Sequence, residues 1–152
     1  MLFLSDLLEF LIKYSMKNLE YNVAIVGATG LIGRKFIEVL EQRQFPIANA
    51  RLFASERSRG KTLQAFGRTI AVESLESNDF DGIDFAFFSA GKEVSLKYDP
   101  HFEKSGAIVI DNSSAFRGCL DIPLIVPELN GDKIYSSDRK IIANPNCSTI
   151  IA

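Results

Sequence analysis

Asn22-Val23-Ala24-Ile25-Val26-Gly27-Ala28-Thr29-Gly30-Leu31-Ile32-Gly33 decides how the rest of the chain reads. Residues 22–26 form a nearly continuous apolar run, the pattern of a strand buried on both faces of a parallel sheet. Glycines follow at 27, 30 and 33, and from Arg34 to Arg43 the apolar residues Phe36, Ile37, Val39 and Leu40 recur at helical spacing. Strand, glycine turn and helix together form the cradle for a dinucleotide. Gly27 allows the tight turn, Gly30 lets backbone approach a pyrophosphate, and Gly33 lets helix pack on strand. The free N–H groups at the helix start then face the phosphates. A glycine-rich structural turn is the plainer alternative.

Working outward, Arg51 to Ser55 reads as a second strand, followed by Glu56-Arg57-Ser58-Arg59-Gly60-Lys61. An NAD site places an acid near the end of this strand to hold the ribose 2′-hydroxyl. Glu56 stands there, but arginines and serines surround it. Guanidinium and hydroxyl donors suit a 2′-phosphate, so Arg57 and Ser58 favour NADP; a solvated basic loop is the bland account. Further strands are expected at Thr69–Val72, Ile83–Phe88, Ala107–Ile110 and Ile141–Ala143. A helix is expected over Lys92–Lys104, broken or kinked at Pro100. Strands alternating with helices predict a Rossmann-like, doubly wound α/β domain with a mostly parallel sheet.

The 152 residues suffice for about one domain. A net charge of -2 gives no reason to expect nucleic acid or an anionic membrane as partner. Cys119, Cys147 and the lone His101 make a poor metal set, and no C-x-x-C pair occurs, so no metal is expected. A reducing cytoplasm is the simplest setting. Residues 1–15, MLFLSDLLEFLIKYS, are leucine-rich but interrupted by Asp6 and Glu9, which argues against a signal peptide or a membrane span. Leu4, Leu7, Leu8, Leu11 and Ile12 share a helical stripe. These residues read as an N-terminal extension, either a docking helix or a stretch upstream of a start at Met16, with residues 16–152 as the dinucleotide-binding domain.

Near the end the chain reads Asn144-Pro145-Asn146-Cys147-Ser148-Thr149. Asn-Pro is a turn signal, and Cys147 falls where a helix would begin, with Asn146 as its N-cap. A thiol at a helix N-terminus feels the positive end of the dipole, which favours the thiolate. That placement suits a nucleophile that forms a thioester.

These residues resemble the aspartate-semialdehyde dehydrogenase family. The likeness is carried by six ordered motifs: VAIVGATGLIGRKF from Val23, ASERSRGK from Ala54, DFAFFSAG from Asp84, VIDNSSAFR from Val109, PLIVPELN from Pro123 and ANPNCST from Ala143. The family reduces aspartyl phosphate to the semialdehyde with NADPH, releasing phosphate, on the route to lysine, threonine, methionine and diaminopimelate. The resemblance implies that Thr29, Gly30, Leu31 and Ile32 line the dinucleotide phosphates. It implies that Arg57 and Ser58 bind the 2′-phosphate, Cys147 is the acyl-thioester nucleophile and Arg117 holds the substrate phosphoryl group. Asn146 would arrange the surroundings of the thiol, and a homodimer is implied. The family's second domain, with its catalytic histidine, is not in these residues, so the reading is of an N-terminal half, inactive by itself. His101 matches no catalytic motif and reads as a surface residue; Cys119 reads as a structural thiol.

Rival readings are weaker. N-acetyl-glutamyl-phosphate reductase would place a glycine before the nucleophile, where Asn146 stands. Glyceraldehyde-phosphate dehydrogenases typically pair their cysteine with an NAD-type acid. A short-chain dehydrogenase needs Tyr-x-x-x-Lys, and Tyr14, Tyr21, Tyr98 and Tyr135 are followed four residues on by Asn18, Ile25, Phe102 and Arg139. A non-catalytic NADP-binding fragment or split gene product is the rival from another class.

Overall fold

The structure, a computed structural model, describes residues 20–77 and 79–151. The extension over residues 1–15 lies outside them. The strands are β1 (Tyr21–Val26), β2 (Ile47–Ala54), β3 (Thr62–Ala65), β4 (Arg68–Ser74), β5 (Phe85–Phe88), β6 (Ile108–Asp111) and β7 (Ile141–Ala143). The helices are α1 (Leu31–Gln42), α2 (Lys92–Lys104), α3 (Pro127–Asn130) and α4 (Cys147–Ile151). The described strands form one sheet in the order β3-β4-β2-β1-β5-β6-β7. Every pairing is parallel except β3 with β4.

Period-two alternation along β1 and β5 explains why helices cover both faces. Val23, Ile25, Phe85 and Phe87 point to one side, where they meet Phe36, Ile37 and Leu40 of α1. Ala24, Val26, Ala86 and Phe88 point to the other, where they meet Tyr98 and Phe102 of α2. Phe102 is fully buried, stacked on Phe80 at 4.0 Å between ring centroids and edge-on to Phe88 at 5.1 Å. Each such ring contributes about 1.5–3 kcal/mol by leaving water. The doubly wound, mostly parallel α/β sheet is therefore the architecture of the described residues.

Pro100 does not break its helix, and one strand is additional to those expected. α2 runs through Pro100 without ending. Pro100 is exposed and so is Leu96, one turn earlier, whose carbonyl loses its intrahelical donor, so water can reach that group. β3 was not anticipated; it pairs antiparallel with β4 across a turn in which Phe66 and Gly67 have φ of 54° and 69°. Two left-handed residues define the tight hairpin turn that matches strand twist, but Phe66 stands where asparagine or glycine would announce it.

Candidate functional site

Parallel strands bring their carboxyl ends to one edge, and the candidate site residues sit on the loops leaving that edge or in the first turn of the helix that follows. Gly27 leaves β1 with φ of 87°, and its N–H donates to the Phe53 carbonyl at 2.8 Å, tying the loop to the end of β2. The Gly30 N–H turns back to the Gly27 carbonyl at 2.9 Å. A Cβ at Gly33 would lie 2.1 Å from that same carbonyl oxygen, and one at Gly27 would lie 2.8 Å from Ser89 Oγ. The loop is thus shut to side chains on both sides. α1 opens at Leu31 with no side chain capping it and no acid in its first turn. Its first N–H groups are left for an anion, so the cradle fits a pyrophosphate.

A crevice of about 360 Å³ runs from this loop between the ends of β1, β2 and β5, lined among others by Gly27, Thr29, Gly30, Ser55, Glu56 and Ser89. It lies where strand order reverses about β1, the position at which open α/β sheets bind ligands. A second hollow of about 450 Å³ adjoins it, sharing Ser74 and Glu76 and carrying Arg59. Arg57 and Ser58 lie on the 3-10 turn Glu56–Ser58, next to Glu56 in sequence, but line neither the crevice nor the hollow; Arg57 is exposed and Ser58 is buried. Leu31 and Ile32 occupy the first turn of α1 with 83% and 44% of their surface exposed, and Gly33 is buried behind them.

Three strands along, β7 delivers Asn144, Pro145, Asn146 and Cys147 to the same edge, about 14 Å from β1 at the usual strand spacing. Cys147 is exposed and opens α4. Asn146 stands at the N-cap position, its Oδ1 accepting from the Ser148 N–H at 3.3 Å and lying 3.4 Å from Cys147 Sγ. Arg117 is half-buried and ties the exits of β6 and β7 together. Its Nε donates to the Asn144 carbonyl at 2.8 Å and its Nη2 to the Asn112 carbonyl at 3.1 Å. Two of the five N–H donors of a guanidinium are so used, and the others remain for a bound anion.

Sequence reasoning missed the polar cluster beneath these loops. Asp111, fully buried at the end of β6, accepts from Ser95 Oγ at 2.8 Å, Ser113 N–H at 2.9 Å and Ser113 Oγ at 2.7 Å. The Ser113 hydroxyl in turn accepts from the Ala115 N–H at 3.0 Å, shaping the turn that carries Arg117. Asp99 is also fully buried and neither carboxyl oxygen has a hydrogen-bond partner. Burial, with the Asp111 charge adding to it, pushes the Asp99 carboxyl up to about 9. The repeated Asp/Ser pattern in Asp111-Asn112-Ser113 is a turn signal that could have pointed to the first acid; nothing local signals the second.

His101 is exposed in the last turn of α2, at the opposite edge of the sheet from Cys147. Cys119 is exposed and free, so the expected structural role has no packing behind it. Among the described residues no group of three or more metal-ligating side chains is assembled, and no helix is long and apolar enough to cross a membrane.

Comparison with known proteins follows the same outline. A family model described as the semialdehyde dehydrogenase NAD binding domain matches residues 22–137. The aspartate-semialdehyde dehydrogenase of Aquifex aeolicus is 54% identical over 132 residues, which is 86% of this chain and 39% of that protein. Aspartate-semialdehyde dehydrogenase 2 of Vibrio cholerae is 50% identical over the same shares. The crystal structure of aspartate semialdehyde dehydrogenase II from Vibrio cholerae complexed with ASA aligns with a TM-score of 0.83 at 50% identity, over 87% of this chain and 44% of that one. The chain spans about two fifths of the length of the curated relatives it matches.

Proposed function

Because the chain belongs to the semialdehyde dehydrogenase NAD-binding domain family, we propose that it supplies the dinucleotide site and the nucleophile of an aspartate-semialdehyde dehydrogenase. The observation that carries this reading is the glycine cradle of α1 sharing one sheet edge with Cys147. Gly27, Thr29 and Gly30 approach the pyrophosphate by backbone, the first turn of α1 at Leu31, Ile32 and Gly33 offers its N–H groups, and Arg57 and Ser58 favour NADP over NAD. A bound nicotinamide supplies the hydride that reduces the acyl carbon. Cys147 Sγ attacks the carbonyl of aspartyl phosphate, the C–S bond forms, the C–O bond to phosphate breaks, and phosphate leaves. The unused donors of Arg117 hold the departing phosphate, and Asn146 fixes the thiol at the start of α4. After reduction the C–S bond breaks, returning the thiolate and releasing the semialdehyde. The setting is cytoplasmic biosynthesis of lysine, threonine, methionine and diaminopimelate, in a homodimer.

One observation favours a second reading, a dinucleotide-binding unit without turnover: His101, the single histidine of the sequence, sits at the far edge of the sheet from Cys147. Intact-mass spectrometry after exposure to aspartyl phosphate tests the nucleophile on which the first reading depends. The expected result is one aspartyl adduct on the native chain and on Cys119→Ala, and none on Cys147→Ala. An adduct that persists in Cys147→Ala, or no adduct on any form, would contradict the nucleophile assignment.

A further inference from the structure

One ion pair stands between the dinucleotide crevice and the adjoining hollow. Glu56, two residues past the end of β2, lines the crevice, and Arg59 lines the hollow. Arg59 Nη1 is 3.2 Å from Glu56 Oε1. The Ser74 hydroxyl at the end of β4 hydrogen-bonds the same carboxylate, and Ser74 Oγ also accepts from the Glu76 N–H at 3.3 Å. Ser74 first and Arg59 second hold the Glu56 carboxyl below its usual range. Glu73 does not compete for Arg59, because it takes the Arg51 fork at 3.0 and 2.6 Å.

A dinucleotide whose pyrophosphate lies on α1 places its adenosine ribose at the end of β2, beside Glu56. A bare carboxylate there accepts the 2′-hydroxyl of NAD and repels the 2′-phosphate of NADP. With Arg59 attached, the pair carries no net charge toward that position. We propose that the Arg59–Glu56 pair sets the cofactor preference of the crevice: Arg59 admits the adenosine 2′-phosphate by neutralising Glu56, not by binding the phosphate itself. This rests on the crevice being the dinucleotide site, and it is separate from the direct contact assigned to Arg57 and Ser58.

The two side chains are 67% and 55% exposed, so their substitution leaves the packed core intact; thermal melting checks this. Calorimetric titration with NADP and with NAD is run on the full chain, Arg59→Ala, Glu56→Gln and the double variant. Arg59→Ala is expected to weaken NADP about tenfold, the scale of one unscreened unit charge a few ångströms from a phosphate at the surface, with NAD unchanged. Glu56→Gln weakens NAD and leaves NADP at least as tight. The double variant recovers NADP affinity to near the starting value. A double variant as weak for NADP as Arg59→Ala would mean that Arg59 is itself a phosphate ligand and would overturn the proposal. Equal losses for both cofactors would also overturn it. Failure of every form to bind either dinucleotide would remove the crevice reading, and the proposal with it.

Discussion

At the scale of single residues, the buried acid Asp99 has the most to say about stability. It lies one helical turn beyond Ser95, which places both side chains toward β6. Asp111 satisfies its charge with three donors, whereas Asp99 has none and holds its proton up to about pH 9. Two carboxyl groups share this interior because one is neutral. The linkage follows from the direction of the shift. The folded chain keeps a proton that the unfolded chain releases near pH 4, so between about pH 4 and pH 9 rising pH favours unfolding. Asp99→Asn removes that proton. Its stability relative to the parent is expected to rise through this window, by at most about 1.4 kcal/mol per pH unit. Urea denaturation at pH 5, 7 and 8.5 measures it; a difference that stays constant across pH would show that Asp99 does not hold its proton in the folded chain. In the sequence this residue reads as one more polar position beside Pro100. Burial of an acid is a tertiary fact, and no local pattern encodes it.

At the scale of elements, the apolar alternation made the central strands and their two covering faces legible. Boundaries were less so. β2 begins at Ile47, not Arg51: Asn49 and Ala50 are poor strand formers that extend here because β1 pairs with them, and Ala48 falls in the register shift between Tyr21 and Asn22. β4 runs from Arg68 to Ser74, wider than Thr69–Val72, because β3 pairs with its start at Arg68 and β2 pairs with its end at Glu73 and Ser74. Arg117 matters at this scale as well, since it joins the loop after β6 to the loop after β7 through the carbonyls of Asn112 and Asn144. Bonds from a charged donor are each worth about 1.5–3 kcal/mol. Arg117→Ala is therefore expected to speed amide exchange over Asn112–Ala115 and Asn144–Thr149 by at least tenfold, while β1 and β5 keep their protection. Unchanged exchange in both loops would contradict the bridging role.

At the scale of the whole molecule, topology gathers what the sequence scatters. Gly27, Glu56, Ser89, Arg117 and Cys147 are spread over 121 positions of the numbering, yet the parallel order β2-β1-β5-β6-β7 delivers all of them to one edge. The glycine cradle and the cysteine at a helix start were readable, because each has a local signature. The lining of the crevice was not, because Ser74 and Glu76 at the exit of β4 and Ser89 at the exit of β5 meet the glycine loop only when the sheet forms. The ion pair of Arg59 with Glu56 was likewise hidden inside what reads as a plain basic loop. The central claim is that this crevice holds a nicotinamide dinucleotide on the first turn of α1. Hydrogen–deuterium exchange of the full chain with and without saturating NADPH tests it most directly. Slowed exchange is expected over Gly27–Arg34 and Ser55–Gly60, with the Phe66–Gly67 hairpin turn unaffected; protection absent from the glycine loop, or confined to other surfaces, would contradict dinucleotide binding in this crevice.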